Sequence, residues 1–117
     1  MGDDLKLLQG TLDILVLKAL ASGPRHGYGV ARWIRHTSDD ALHIEDGALY
    51  NSLHRMEKRR LLRSEWGLSE NNRKAKYYRV TAAGLKYLQA CQRSWTRYAE
   101  AVFKILTSSP KQAGEQR

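Results

Sequence analysis

The chain is poor in cysteine, proline and phenylalanine: among its 117 residues there are one, two and one of them. A lone cysteine, Cys91, forms no intrachain disulfide and no cysteine-rich zinc site. No apolar run approaches the ~20 residues that span a bilayer, so no membrane partner is expected. The N-terminal Met1-Gly2-Asp3-Asp4 is acidic where a secretory signal is basic. Gly2 is not followed by the Ser or Thr that myristoylation requires. A cytoplasmic location is the expectation. Catalytic patterns are scarce as well. His26, His36, His43 and His54 form no metal constellation, and His43-Ile44-Glu45 has the H-x-E of zinc deaminases without the P-C-x-x-C that completes it. Gly23, Gly27 and Gly29 are not followed by the G-K-[ST] of a phosphate loop. No nucleophile is paired with a base. The chain reads as a non-enzyme, without metal or cofactor.

What is present is a small basic domain. Hydrophobic residues make up 42%, enough for one core, and a chain of this size gains from a partner subunit that covers more apolar surface. The net charge of +8 is uneven. Residues 1–46 carry five basic and seven acidic side chains, 47–80 carry nine and three, and 81–117 carry six and two. The middle block therefore holds most of the excess. A localised basic block suits a polyanion, most often nucleic acid. The alternative is a merely solvated basic surface.

Periodicity predicts four helices and a hairpin. The first helix, 9–21, is apolar on most sides and ends at Gly23-Pro24; its stripe includes Leu8. The second, 27–37, buries Val30, Trp33 and Ile34. A very short strand is expected at 41–44. The third helix, 46–60, has a core stripe of Leu49, Leu53 and Met56. Its opposite side carries Gly47, Asn51, His54 and Lys58, flanked by Ala48 and Arg55. Small residues let a helix N-terminus approach a major groove, and amide or guanidinium groups reach base edges and phosphates. Strands at 61–66 and 76–81 flank a polar and basic loop at 67–75.

The last helix, 82–106, has Thr81 as its N-cap. One apolar stripe runs Leu85, Leu88, Trp95, Ala99, Val102 and Leu106, interrupted by Gln92; the other runs Tyr87, Cys91, Tyr98, Ala101 and Ile105. Both repeat at coiled-coil spacing. One stripe can pack on its own domain and the second then needs a partner subunit. A single broad face buried within one chain is the alternative.

Helix, helix, short strand, helix and basic hairpin make a winged helix-turn-helix: mainly α, a small β-hairpin and a long C-terminal dimerisation helix. Leu8-Gln9-Gly10-Thr11-Leu12-Asp13 and His26-Gly27-Tyr28-Gly29 resemble the opening of the PadR family of bacterial transcriptional regulators. Gly47-Ala48-Leu49-Tyr50, Leu53-His54-Arg55-Met56-Glu57 and Lys76-Tyr77-Tyr78-Arg79-Val80-Thr81 resemble its third helix and wing exit. The resemblance covers about residues 5–106, on the branch with a single C-terminal helix. It departs at Asn51, where members often have proline, and at Ala75, which interrupts the basic run.

The resemblance implies a DNA-binding domain over 5–81, a dimerisation helix over 82–106 and a flexible tail over 107–117. It implies a homodimeric repressor on double-stranded DNA, released in some relatives by a small aromatic effector at the dimer interface. Trp95 resembles the tryptophan that stacks on such ligands, with Leu88, Gln92, Ala99 and Val102 around it; the other reading is that Trp95 simply fills space. Candidate DNA contacts are Gly47, Ala48, Asn51, His54 and Arg55 on the third helix, with Asn72, Arg73, Lys74 and Lys76 on the wing. Arg79 could face either way. Tyr28 and Tyr50 either offer a hydroxyl to a phosphate or pack at the helix junction. The alternative function is a winged-helix interaction module that does not bind DNA.

Overall fold

The computed structural model describes residues 10–109. The helix expected from residue 9 starts at Thr11, because Gly10 before it is left-handed at φ 88°; the stripe residue Leu8, the domain boundary at 5 and the tail over 110–117 lie outside the described residues. The elements are α1 (Thr11–Ala21), β1 (Arg25–His26), α2 (Gly27–Thr37), α3 (Asp46–Lys58), β2 (Leu62–Leu68), β3 (Lys74–Val80) and α4 (Ala82–Leu106). The architecture is mainly α with a three-stranded antiparallel sheet in the order β1-β3-β2. One core joins every layer: Val16, Leu17 and Leu20 of α1, Val30 and Ile34 of α2, Leu49, Leu53 and Met56 of α3, Leu62 and Tyr78 of the hairpin, and Leu88 of α4.

The expected strand at 41–44 does not form. α2 ends in a Schellman turn, with Asp39 donating its N–H to the His36 carbonyl and Asp40 to that of Arg35. Both aspartates have positive φ, which reverses the chain. The Ser38 hydroxyl then accepts from Leu42 N–H at 3.0 Å. Leu42 and Ile44 pack on the core without joining a ladder. The third strand is instead β1, just before α2, where Arg25 pairs with Tyr78 and His26 with Tyr77.

α3 stops at Lys58, two residues short of the expected 60, in a second Schellman turn. Arg60 at φ 64° donates to the Glu57 carbonyl and Leu61 to that of Met56. The hairpin is longer than expected, and its turn shrinks from 67–75 to 69–73. Ser69 and Arg73 close that turn at 2.8 Å, with Asn72 left-handed at φ 63°.

Thr81 caps α4 as expected, its hydroxyl accepting from Gly84 N–H at 3.0 Å and donating to the Arg60 carbonyl at 2.8 Å. Glycine is required at 84, because a Cβ there would collide with the Leu61 carbonyl oxygen. The two stripes of α4 are not divided by face, as expected, but by height. Leu88 is only 5% exposed and belongs to its own chain's core, which removes it from any intersubunit surface. Further along, Tyr98, Phe103, Ile105 and Leu106 are all more than half exposed.

Candidate nucleic-acid interface

A polar link ties α1 to α3. Asp13 of α1 accepts 2.6 Å hydrogen bonds from the hydroxyl of fully buried Ser52 and from the Arg55 guanidinium, both on α3. Arg55 is therefore engaged within the chain, with its side chain still about half exposed. The remaining α3 candidates, Gly47, Ala48, Asn51 and His54, all face outward, as does Lys58. A Cβ at Gly47 would meet nothing within 4 Å, so the start of the helix is open to close approach.

Between α3 and the hairpin lies a groove of about 840 Å³. His54 and Tyr50 line its α3 wall, and Arg73, Lys74 and Lys76 its wing wall. The wing cations are not equivalent. Lys76 is half-buried and reaches Glu57 at 3.5 Å, while Glu57 also accepts from Ser64 at 2.5 Å. Arg73 and Lys74 stand exposed. Asn72 is exposed at the turn, where its backbone role is the tight reversal. Arg79 lies outside the groove: it pairs with Arg63, and both are exposed on the face away from the core.

The two tyrosines have different surroundings. The Tyr50 ring lies across Gly27, where an added Cβ would come within 2.6 Å of its hydroxyl oxygen. Its hydroxyl end lies at the helix junction while the residue still lines the groove. Tyr28 is exposed, with the Arg32 guanidinium 5.8 Å from its ring centroid.

Sequence reasoning missed His26. Its Nδ1 accepts from Gly29 N–H at 3.0 Å and so caps α2. That leaves Nε2 to carry the proton and donate to Glu70 at 3.3 Å. The wing turn is thereby tied to the start of α2. Glu70 is held below the usual 4.5, first by a backbone hydrogen bond and then by His26. The available signal was a hydrogen-bonding residue immediately before a helix that opens Gly-Tyr-Gly.

At the other end of the molecule, the Trp95 indole N–H donates to the Thr11 hydroxyl at 3.3 Å, joining α4 to the start of α1. Ala99 beside it is half-buried, while Gln92 and Val102 are exposed. No group of three or more potential metal ligands occurs among the described residues. No described helix is long and apolar enough to cross a membrane.

Comparison with known proteins places these features. The family model for the transcriptional regulator PadR-like family matches residues 16–90. A transcriptional regulator from Clostridium thermocellum superposes with a TM-score of 0.74 at 29% identity, covering 82% of this chain and 90% of that one. A PadR family regulator from Eggerthella lenta gives a TM-score of 0.70 at 34% identity, covering 86% of each chain. A PadR family regulator from hypervirulent Clostridium difficile gives 0.71 at 27%, covering 83% of this chain and 99% of the other. The matched proteins are regulators of transcription rather than enzymes.

Proposed function

The chain belongs to the PadR-like family of transcriptional regulators, and on that premise we propose that it is a sequence-specific repressor that binds duplex DNA as a homodimer in the cytoplasm. The observation that carries the reading is the convergence of two surfaces on one groove. α3 supplies Tyr50 and the His54 imidazole to that groove and the wing supplies Arg73 and Lys74; Gly47, Ala48 and the Asn51 amide stand exposed on the same helix. In this reading α3 enters the major groove, Asn51 and His54 face base edges, and the wing cations lie on phosphates. Residues up to 81 form the reading unit, and α4 joins two copies through its exposed apolar length.

The test selects bound sequences from random duplexes and then compares variants on the best one. Replacing Arg73 and Lys74 with Ala should weaken all duplexes and flatten the salt slope by roughly 1 per lost phosphate contact. Asn51→Ala should relax preference at one base pair, by about 1–3 kcal/mol. A wild-type chain that selects no sequence would reject the reading.

Effector release belongs to the same proposal. Trp95 is partly exposed and held by one long hydrogen bond, so a flat aromatic guest could stack on it. Quenching of Trp95 emission together with lower DNA affinity would support the switch; quenching with unchanged DNA affinity would reject it.

A further inference from the structure

The face of the hairpin that forms the core at its base does not stop where the core stops. Leu62, Ser64, Trp66 and Leu68 alternate onto one face of β2, opposite Val80, Tyr78, Lys76 and Lys74 of β3. At the base, Leu62 and Tyr78 are each 2% exposed. Two pairs further out, Trp66 is 64% and Leu68 65% exposed. The apolar pattern thus runs on past the last element that could cover it. Trp66 reaches the same groove as His54, Arg73 and Lys74. The Lys74 ammonium sits 5.5 Å from the Trp66 ring centroid, so the ridge is apolar in the middle and cationic at its edge.

We propose that Trp66 and Leu68 form an apolar ridge that packs against the deoxyribose wall of a DNA backbone strand passing along the wing, with Trp66 at the groove between wing and α3. This rests on the DNA-binding reading above and adds a contact of a different kind. Bare apolar side chains on a basic surface repel no phosphate and gain nothing from water. Placed between cations, they meet the only uncharged part of a DNA backbone, the sugars. The cations Arg73 and Lys74 bring the backbone in, and the ridge removes sugar and indole surface from water. Such a contact releases no counterions, so its contribution does not depend on salt, unlike that of the neighbouring lysine.

The experiment measures affinity for the selected duplex at several salt concentrations, using full-length wild type, Trp66→Ala, Leu68→Ala, Trp66→Phe and Lys74→Ala. Trp66→Ala should lose about tenfold at every salt concentration with the slope of the wild type, since one face of the ring would no longer be buried. Trp66→Phe should recover most of the loss. Lys74→Ala should flatten the slope. Both ridge side chains are mostly solvent-exposed, so thermal midpoints should hold; Leu68→Ala keeps the test open should the Trp66 variant fold poorly. Trp66 emission, taken as the difference between wild type and Trp66→Phe, should become shielded from acrylamide on DNA binding.

Affinity of Trp66→Ala and Leu68→Ala within twofold of wild type would overturn the ridge and leave the DNA reading standing. A flattened slope in Trp66→Ala would overturn it too, since the ring would then act only by holding Lys74. Trp66 emission still open to acrylamide in the complex would overturn the ridge as a DNA contact. A wild type that binds no duplex would remove both the reading and the ridge.

Discussion

Asp13 is a charged residue on a helix that is apolar on most sides. It accepts from Ser52 and Arg55 at once and sits largely out of water. Sequence showed Ser52 and Arg55 on one helix and Asp13 on another, but the pairing spans about forty residues and leaves no local trace. Ser52→Ala should destabilise the fold by roughly 1–2 kcal/mol in urea titration, because it strips a buried acceptor of a donor. Arg55→Ala should cost less than about 1 kcal/mol, its side chain being half in water. A larger effect of Arg55→Ala on DNA affinity than on stability would show that the same guanidinium also serves DNA. Arg60 offers the reverse case. It holds a left-handed conformation that glycine accepts freely, so Arg60→Gly should raise stability by up to about 1 kcal/mol in the same titration.

At the scale of elements, the helices were legible because their apolar stripes are long and their breakers explicit. Thr81 as a cap and Gly23-Pro24 as a stop are local chemistry, and both hold. The strand expected at 41–44 failed for a tertiary reason. A short apolar run reads alike as a strand or as a loop that drops two side chains into a core, and only a partner strand decides. That partner, β3, pairs instead with a two-residue segment too short to carry any periodicity. The outward face of α3 was legible as a pattern, whereas the cap at His26 and the engagement of Lys76 by Glu57 needed the packed molecule. The sheet also makes a pH prediction. Burial holds the Tyr78 hydroxyl above its ordinary 10.0. A raised folded value means that its contribution is complete below pH 10.0 and is lost as pH climbs through the folded value. Unfolding free energy should therefore fall above pH 10.0 more steeply in wild type than in Tyr78→Phe.

Over the whole molecule, two exposed apolar patches stand apart: Trp66 and Leu68 among the cations of the wing, and Tyr98, Phe103, Ile105 and Leu106 on the far half of α4. The extents of 62 × 35 × 21 Å reflect that projecting helix. Exposed apolar length of this kind is expected to be covered by a second copy. Hydrogen exchange of the amides over 98–106 should then slow as protein concentration rises, while those of α3 stay unchanged. Concentration-independent exchange over 98–106 would count against the dimer.

The pairing of β1 with β3 has a further consequence during synthesis. Arg25 and His26 are made some fifty residues before Tyr78 and Tyr77, the residues that hold them. At 5–20 residues per second the ribosome leaves an interval of about 3–10 s between the two. Throughout it α1, α2 and α3 have neither sheet nor α4 to cover their shared core. The nascent chain should therefore remain open to protease until the wing has emerged and become resistant in one step thereafter. Arrested chains with residues short of, and then past, 81 outside the ribosome would show the change.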